Sequence, residues 1–66
     1  MTMIEIGLDN RDEPKDMNKV TEYIKLYGLE ALRGGDKYTS FNCPSVWFDT
    51  VKRLFREQGI DVIKFD

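Results

Sequence analysis

The order of apolar and polar residues along the chain predicts a strand followed by a helix. Ile4, Ile6 and Leu8 alternate with other residues, which places them on one face of a β-strand. A polar segment follows, and Pro14 suits the first turn of a helix. Gly28 is expected to end that helix, because glycine adopts the left-handed conformation of a helix cap. Within the helix, apolar residues recur at spacings of three and four and form a stripe about 120° wide; they are Met17, Val20, Tyr23, Ile24 and Tyr27.

An internal repeat predicts the secondary structure of the segment after Gly28. Residues 28–33 match residues 59–64 in character at every position, at a constant offset of 31 (59 − 28 = 31). The same offset pairs Met17 with Phe48 and Val20 with Val51. The second copy is rich in β-branched residues, so it predicts a strand, and the first copy takes the same interpretation. The alternative is one long helix from Pro14 to Leu32 with a three-stranded sheet.

The remaining segments complete two similar halves. Residues 33–37 are centred on two glycines and predict a hairpin connection, followed by a third strand over residues 38–42. Pro44 is expected to begin the second helix, Gly59 to end it, and residues 60–65 to form the last strand. The stripe of the second helix consists of Trp47, Phe48, Val51, Leu54 and Phe55.

These elements predict an α+β fold of the ferredoxin-like, split βαβ type (βαββαβ). It has a four-stranded antiparallel sheet with two helices on one face, and the expected spatial order is fourth, first, third, second strand. Residues 1–66 are expected to form a single domain, because 66 residues cannot close two cores. A core this small contributes only about 3–5 kcal/mol net, so self-association would be a natural supplement.

Composition and charge narrow the function classes. The net charge is −2, whereas proteins that bind nucleic acid through phosphates usually carry a basic excess. The single cysteine, Cys43, cannot form an internal disulfide, and no apolar run approaches the length of a membrane span. Met1 to Leu8 is too short and too acidic for a signal peptide, so we expect a cytoplasmic protein without membrane association.

The chain contains no histidine, which removes the commonest general base and the commonest metal ligand. Asp9, Asp12 and Glu13 cluster in one loop, but Arg11 stands where a calcium loop needs Asp or Asn. We therefore expect no enzymatic activity, no cofactor, no metal site and no small-molecule ligand.

The uncovered face of the predicted sheet provides the leading hypothesis. If Ile60 and Val62 face the helices, alternation leaves a set of apolar side chains on the other face, rimmed by Glu5, Glu30 and Asp61. Exposed patches of this kind mark interaction surfaces. The expected function is a non-enzymatic protein-interaction module, either a homodimer or an accessory or inhibitory protein, for example of a phage or mobile element. The residues of this predicted patch are Met3, Leu32, Tyr38, Ile63 and Phe65.

The sequence also carries weaker signals for two other functions. Lys52, Arg53 and Arg56 lie on the solvent side of the second helix and would suit a nucleic-acid-associated protein. Cys43-Pro44-Ser45-Val46 resembles in part the Cys-Pro-x-Pro motif of small sulfur-carrier proteins, without its second proline. That resemblance implies a reactive thiol at Cys43, whereas a small apolar residue before a helix is the simpler interpretation.

Overall fold

The computed structural model describes residues 2–65, which form an α+β fold with four antiparallel strands in one open sheet and two helices. The strand order across the sheet is β2-β3-β1-β4. The elements are β1 (Met3–Asp9), α1 (Met17–Leu26), β2 (Glu30–Gly34), β3 (Tyr38–Pro44), a short 3-10 helix (Ser45–Trp47), α2 (Phe48–Glu57) and β4 (Val62–Lys64).

Both helices begin later than their prolines predict. The expectation that Pro14 begins α1 is wrong: Asp16 caps the helix, and its side chain accepts from the backbone N–H of Asn18 at 3.0 Å. A carboxylate at this position satisfies an N–H that has no partner within the helix. The expectation for Pro44 is also wrong, because its extended backbone (φ −58°, ψ 128°) ends β3, and the 3-10 turn comes before α2.

The helix ends confirm the repeat. α1 and α2 occupy positions that differ by 31 residues at both ends. The N–H of Leu29 donates to the carbonyl of Ile24 at 2.9 Å, and the N–H of Ile60 donates to the carbonyl of Phe55 at the same distance. Both helices therefore close with the same left-handed glycine motif. The alternative of one helix through Leu32 is wrong, since the chain leaves α1 at Leu26 and enters β2 at Glu30.

The core lies between the helices and one face of the sheet. Alternate residues of β1 and β3 pair across this face, with Ile6 opposite Phe41. Val20 of α1 and Phe55 of α2 belong to the same buried cluster, which places both helices on this side. The full buried cluster is Ile6, Leu8, Val20, Leu29, Phe41, Cys43, Val51, Phe55, Ile60 and Val62.

Three members of the predicted helical stripes lie outside the core, and one of them, Leu54, is half-buried on α2. Met17 is exposed because it is the first residue of α1, beyond the packed turns. Trp47 is exposed because it belongs to the 3-10 turn, whose geometry rotates it away from the α2 stripe. It contacts Tyr27 instead, with ring centroids 5.4 Å apart.

Candidate functional site: the open face of the sheet

The side of the sheet opposite the helices is called the open face. Strand alternation places every second residue of β1 on it, together with the residue directly opposite in β3. These pairs are Met3 with Pro44, Glu5 with Asn42, Gly7 with Ser40, and Asp9 with Tyr38.

Gly7 allows the chain to cover part of the open face with its own aromatic ring. A Cβ atom at Gly7 would lie 2.8 Å from both Cε2 and Cζ of Phe65, so the ring occupies the space that a side chain would need. The N–H of Phe65 donates to the carbonyl of Glu5 at 2.9 Å, which fixes its backbone beside β1. The ring packs edge-to-face on Tyr38, with centroids 6.2 Å apart. Phe65 is therefore half-buried over the centre of the sheet.

A charged pair adjoins this aromatic contact. Arg11 binds the Asp9 carboxylate through two side-chain hydrogen bonds of 3.0 and 2.7 Å, and its own backbone N–H donates to the same carboxylate at 2.8 Å. These hydrogen bonds to Arg11 lower the pKa of Asp9 to about 2 and raise the pKa of Arg11. The guanidinium also lies 5.9 Å from the ring centroid of Tyr38, within cation–π range.

The β2 side of the open face is more exposed to solvent than the part around Gly7, because all five residues of this edge strand are exposed. The register opposes Ala31 to Phe41 and Arg33 to Ser40, so Leu32 is the extra residue of a β-bulge. Glu30 pairs with Asn42 and Arg33 with Ser40, both on the open face. Leu32 lies between Ala31 and Arg33 at the bulge, where strict alternation is interrupted, and its side chain is 46% exposed.

The structure brings some of the predicted patch together and separates the rest. Phe65 and Ile63 lie against Gly7, Tyr38 of β3 packs on the Phe65 ring, and all three are half-buried. β3 and β1 separate Leu32, in the edge strand β2, from β4, and Met3 lies at the far end of β1, 45% exposed. The patch is thus a packed aromatic cluster plus two isolated exposed side chains.

Sequence reasoning missed three contributors to this face: Gly7, Arg11 and Arg33. A glycine inside an alternating strand is itself a signal, since it marks a place where another group approaches the backbone. The positions of Arg11 and Arg33 carry no comparable signal, because one depends on a loop and the other on a bulge.

The residues of the alternative hypotheses are placed on the helical side. Arg53 and Arg56 are exposed on α2, and Lys52 is partly buried with its ammonium 5.8 Å from the ring centroid of Phe48. Cys43 is fully buried in β3, and burial raises the pKa of its thiol. A buried thiol with a raised pKa is poorly suited to the nucleophilic role that the sulfur-carrier resemblance implies.

Neither helix of the described chain is long and apolar enough to cross a membrane. Residues 2–65 hold no group of three or more potential metal ligands and enclose no detected cavity. No protein-family model matches the chain, and neither a curated protein nor a solved structure shows significant similarity to it.

Proposed function

We propose that this chain is a non-enzymatic protein-interaction module that docks through the β2 side of its open face. The observation that carries the proposal is the exposure of Leu32, a large apolar side chain in a strand exposed along its whole length. Glu30 and Arg33 flank it with charges of opposite sign. An apolar centre with a polar rim is the usual composition of a protein-binding surface.

The β4 side of the same face supports the proposal by contrast. There the chain places Phe65 over Gly7, and Phe65 in turn packs on Tyr38 of β3, so its own side chains shield that part of the sheet. Within residues 2–65, both helices pack on the other face of the sheet. A partner would therefore bury Leu32 at the uncovered edge, while the packed Phe65 ring lies over β1, beyond β3.

We further infer that the two halves form a ferredoxin-like arrangement. Counted from the other edge, the strand order is β4-β1-β3-β2, and the chain order is strand, helix, strand, strand, helix, strand. The matched ends of α1 and α2 support an origin in two equivalent halves. This arrangement serves many unrelated functions, so the proposed function depends on the surface alone.

Site-directed photo-crosslinking in cells of the native host tests the proposed function. A photo-crosslinking amino acid is placed at position 32, and the matched control carries it at position 26, because Leu26 is also an exposed leucine (68%) but lies on α1. We expect a discrete protein adduct from position 32 and none from position 26. Absence of an adduct at position 32, or equal adducts at both positions, would contradict docking through this face.

A second candidate function is nucleic-acid association through α2. It is favoured by Arg53 and Arg56, which are exposed and form no ion pair within the described part of the chain. It is opposed by the net charge of −2 and by the exposed Asp49 and Glu57 on the same helix. Binding to RNA or DNA that weakens steeply with salt would support it, whereas affinity below detection at low salt would exclude it.

A further inference from the structure

We propose that the partner docked on the β2 side of the open face is a second copy of this chain, related by a two-fold axis. This inference rests on the proposed function and names its partner.

The charge pattern around Leu32 is complementary to itself. Glu30 lies at the level of Asn42 and Arg33 at the level of Ser40, so Phe41 marks the midpoint between them along β3. A two-fold axis lying in the interface and crossing β2 at this level turns Glu30 of one copy toward Arg33 of the other, and the reverse. Two ion pairs then lie on either side of the axis, at the level of the bulge that contains Leu32.

The same axis avoids like charges on the neighbouring strand. Glu5 shares the level of Asn42, and Gly7 shares the level of Ser40. The rotation therefore sets Glu5 of one copy above Gly7 of the other, which the Phe65 ring covers, rather than above the second Glu5. Juxtaposed like charges are a main obstacle to pairing two identical faces, and this geometry contains none at these positions.

The area of the whole face limits how much surface the dimer can bury. Strands about 4.8 Å apart, with central strands of seven residues, give a face of about 400 Å². Two such faces bury on the order of 800 Å² in total, below the roughly 1,200–2,000 Å² of a stable interface. The dimer is therefore weak and exchanges rapidly.

Sedimentation equilibrium of the intact chain tests this dimer with a charge swap. The variants are Arg33→Glu, Glu30→Arg and the double variant carrying both, with Leu26→Asp as a surface control. The first lowers the net charge by two and the second raises it by two, so an effect of overall charge would act in opposite directions. Circular dichroism checks that each variant is folded, and both residues are exposed.

We expect the wild type to dimerise weakly below about 1 mM. Each single reversal should weaken the dimer about tenfold or more, and the double variant should recover the wild-type affinity to within about threefold. Leu26→Asp should leave the affinity unchanged. A wild type that stays monomeric to about 1 mM overturns the dimer. Single reversals with opposite effects, or a double variant as weak as the singles, also overturn it.

The crosslinking experiment separates the two proposals. An adduct of twice the mass of the chain at position 32 supports both. An adduct with a different protein, together with a monomeric wild type, overturns the second copy but supports docking through the open face. Absence of any adduct at position 32 with a monomeric wild type overturns both.

Discussion

At the scale of single residues, Gly7 determines how the open face is organised. Its missing side chain is what lets the Phe65 ring lie on the sheet, because an added Cβ would stand 2.8 Å from that ring. The contact joins the end of the described chain to the central strand β1. Phe65 thereby shields sheet surface that the helices leave uncovered.

Gly7→Ala should therefore displace Phe65 and lower the free energy of unfolding by about 1–2 kcal/mol. Gly34→Ala is the matched control, because a Cβ there meets nothing within 4 Å and Gly34 has an ordinary backbone conformation. Urea denaturation of both variants, each also combined with Phe65→Ala, measures the coupling. Equal effects of the two glycine substitutions, or full additivity of Gly7→Ala with Phe65→Ala, would contradict the contact.

Asp9 makes stability depend on pH through its pairing with Arg11. Its pKa is lowered from 3.8 to about 2 in the folded protein, so the folded state favours the ionised carboxylate. The stabilisation is therefore complete above the unfolded pKa and is lost as pH falls through about 2. Thermal unfolding of the wild type and Asp9→Asn should differ by a constant amount above about pH 5 and converge near pH 2. A difference that stays constant down to pH 2 would show that the carboxylate charge is irrelevant.

At the scale of elements, the two helix ends are equivalent structures. Gly28 has φ 66° and Gly59 has φ 84°, a region that other residues enter only at a cost. Gly28→Ala and Gly59→Ala should each destabilise the protein by about 1–2 kcal/mol, and by similar amounts. Chemical denaturation measures both values, with Gly34→Ala again as the control. A negligible cost at one of the two glycines would contradict the equivalence of the halves.

The sequence could predict the elements well because the repeat supplied information that local propensity lacked. Several of the residues from Leu29 to Leu32 are good helix formers. Only the match to the β-branched segment after Gly59 assigned this segment to a strand. The helix starts were predicted less well. Proline tolerates the first turn of a helix but does not require one, and the cap of α1 is the side chain of Asp16.

The open face was predictable only in part, for a physical reason. Alternation identifies which residues point away from the helices, and it does so for Met3, Tyr38 and Ile63. It does not indicate how those side chains pack on one another. The Phe65 contact depends on an approach to Gly7 between distant segments, and the position of Arg33 depends on a bulge that shifts the register.

At the scale of the whole molecule, the small hydrophobic core covers only one face of the sheet. The helices cover one side of the sheet, and on the other side Phe65, Tyr38 and Arg11 cover part of β1 and β3. What remains is β2, an exposed edge strand with Leu32 between two opposite charges. A domain of this size gains little from its own core, so burial of this strand against the proposed partner would add to its stability.

The most direct test is a dilution series of the wild type followed by ¹H–¹⁵N NMR, from about 1 mM to about 10 µM. Docking of a second copy through the β2 side predicts that amide shifts of Glu5, Asn42 and residues 30–33 move with concentration. The amides of Thr21 and Leu26 on α1, and of Arg53 and Arg56 on α2, should stay fixed. Concentration-dependent shifts confined to the helices, or none anywhere, would contradict the account.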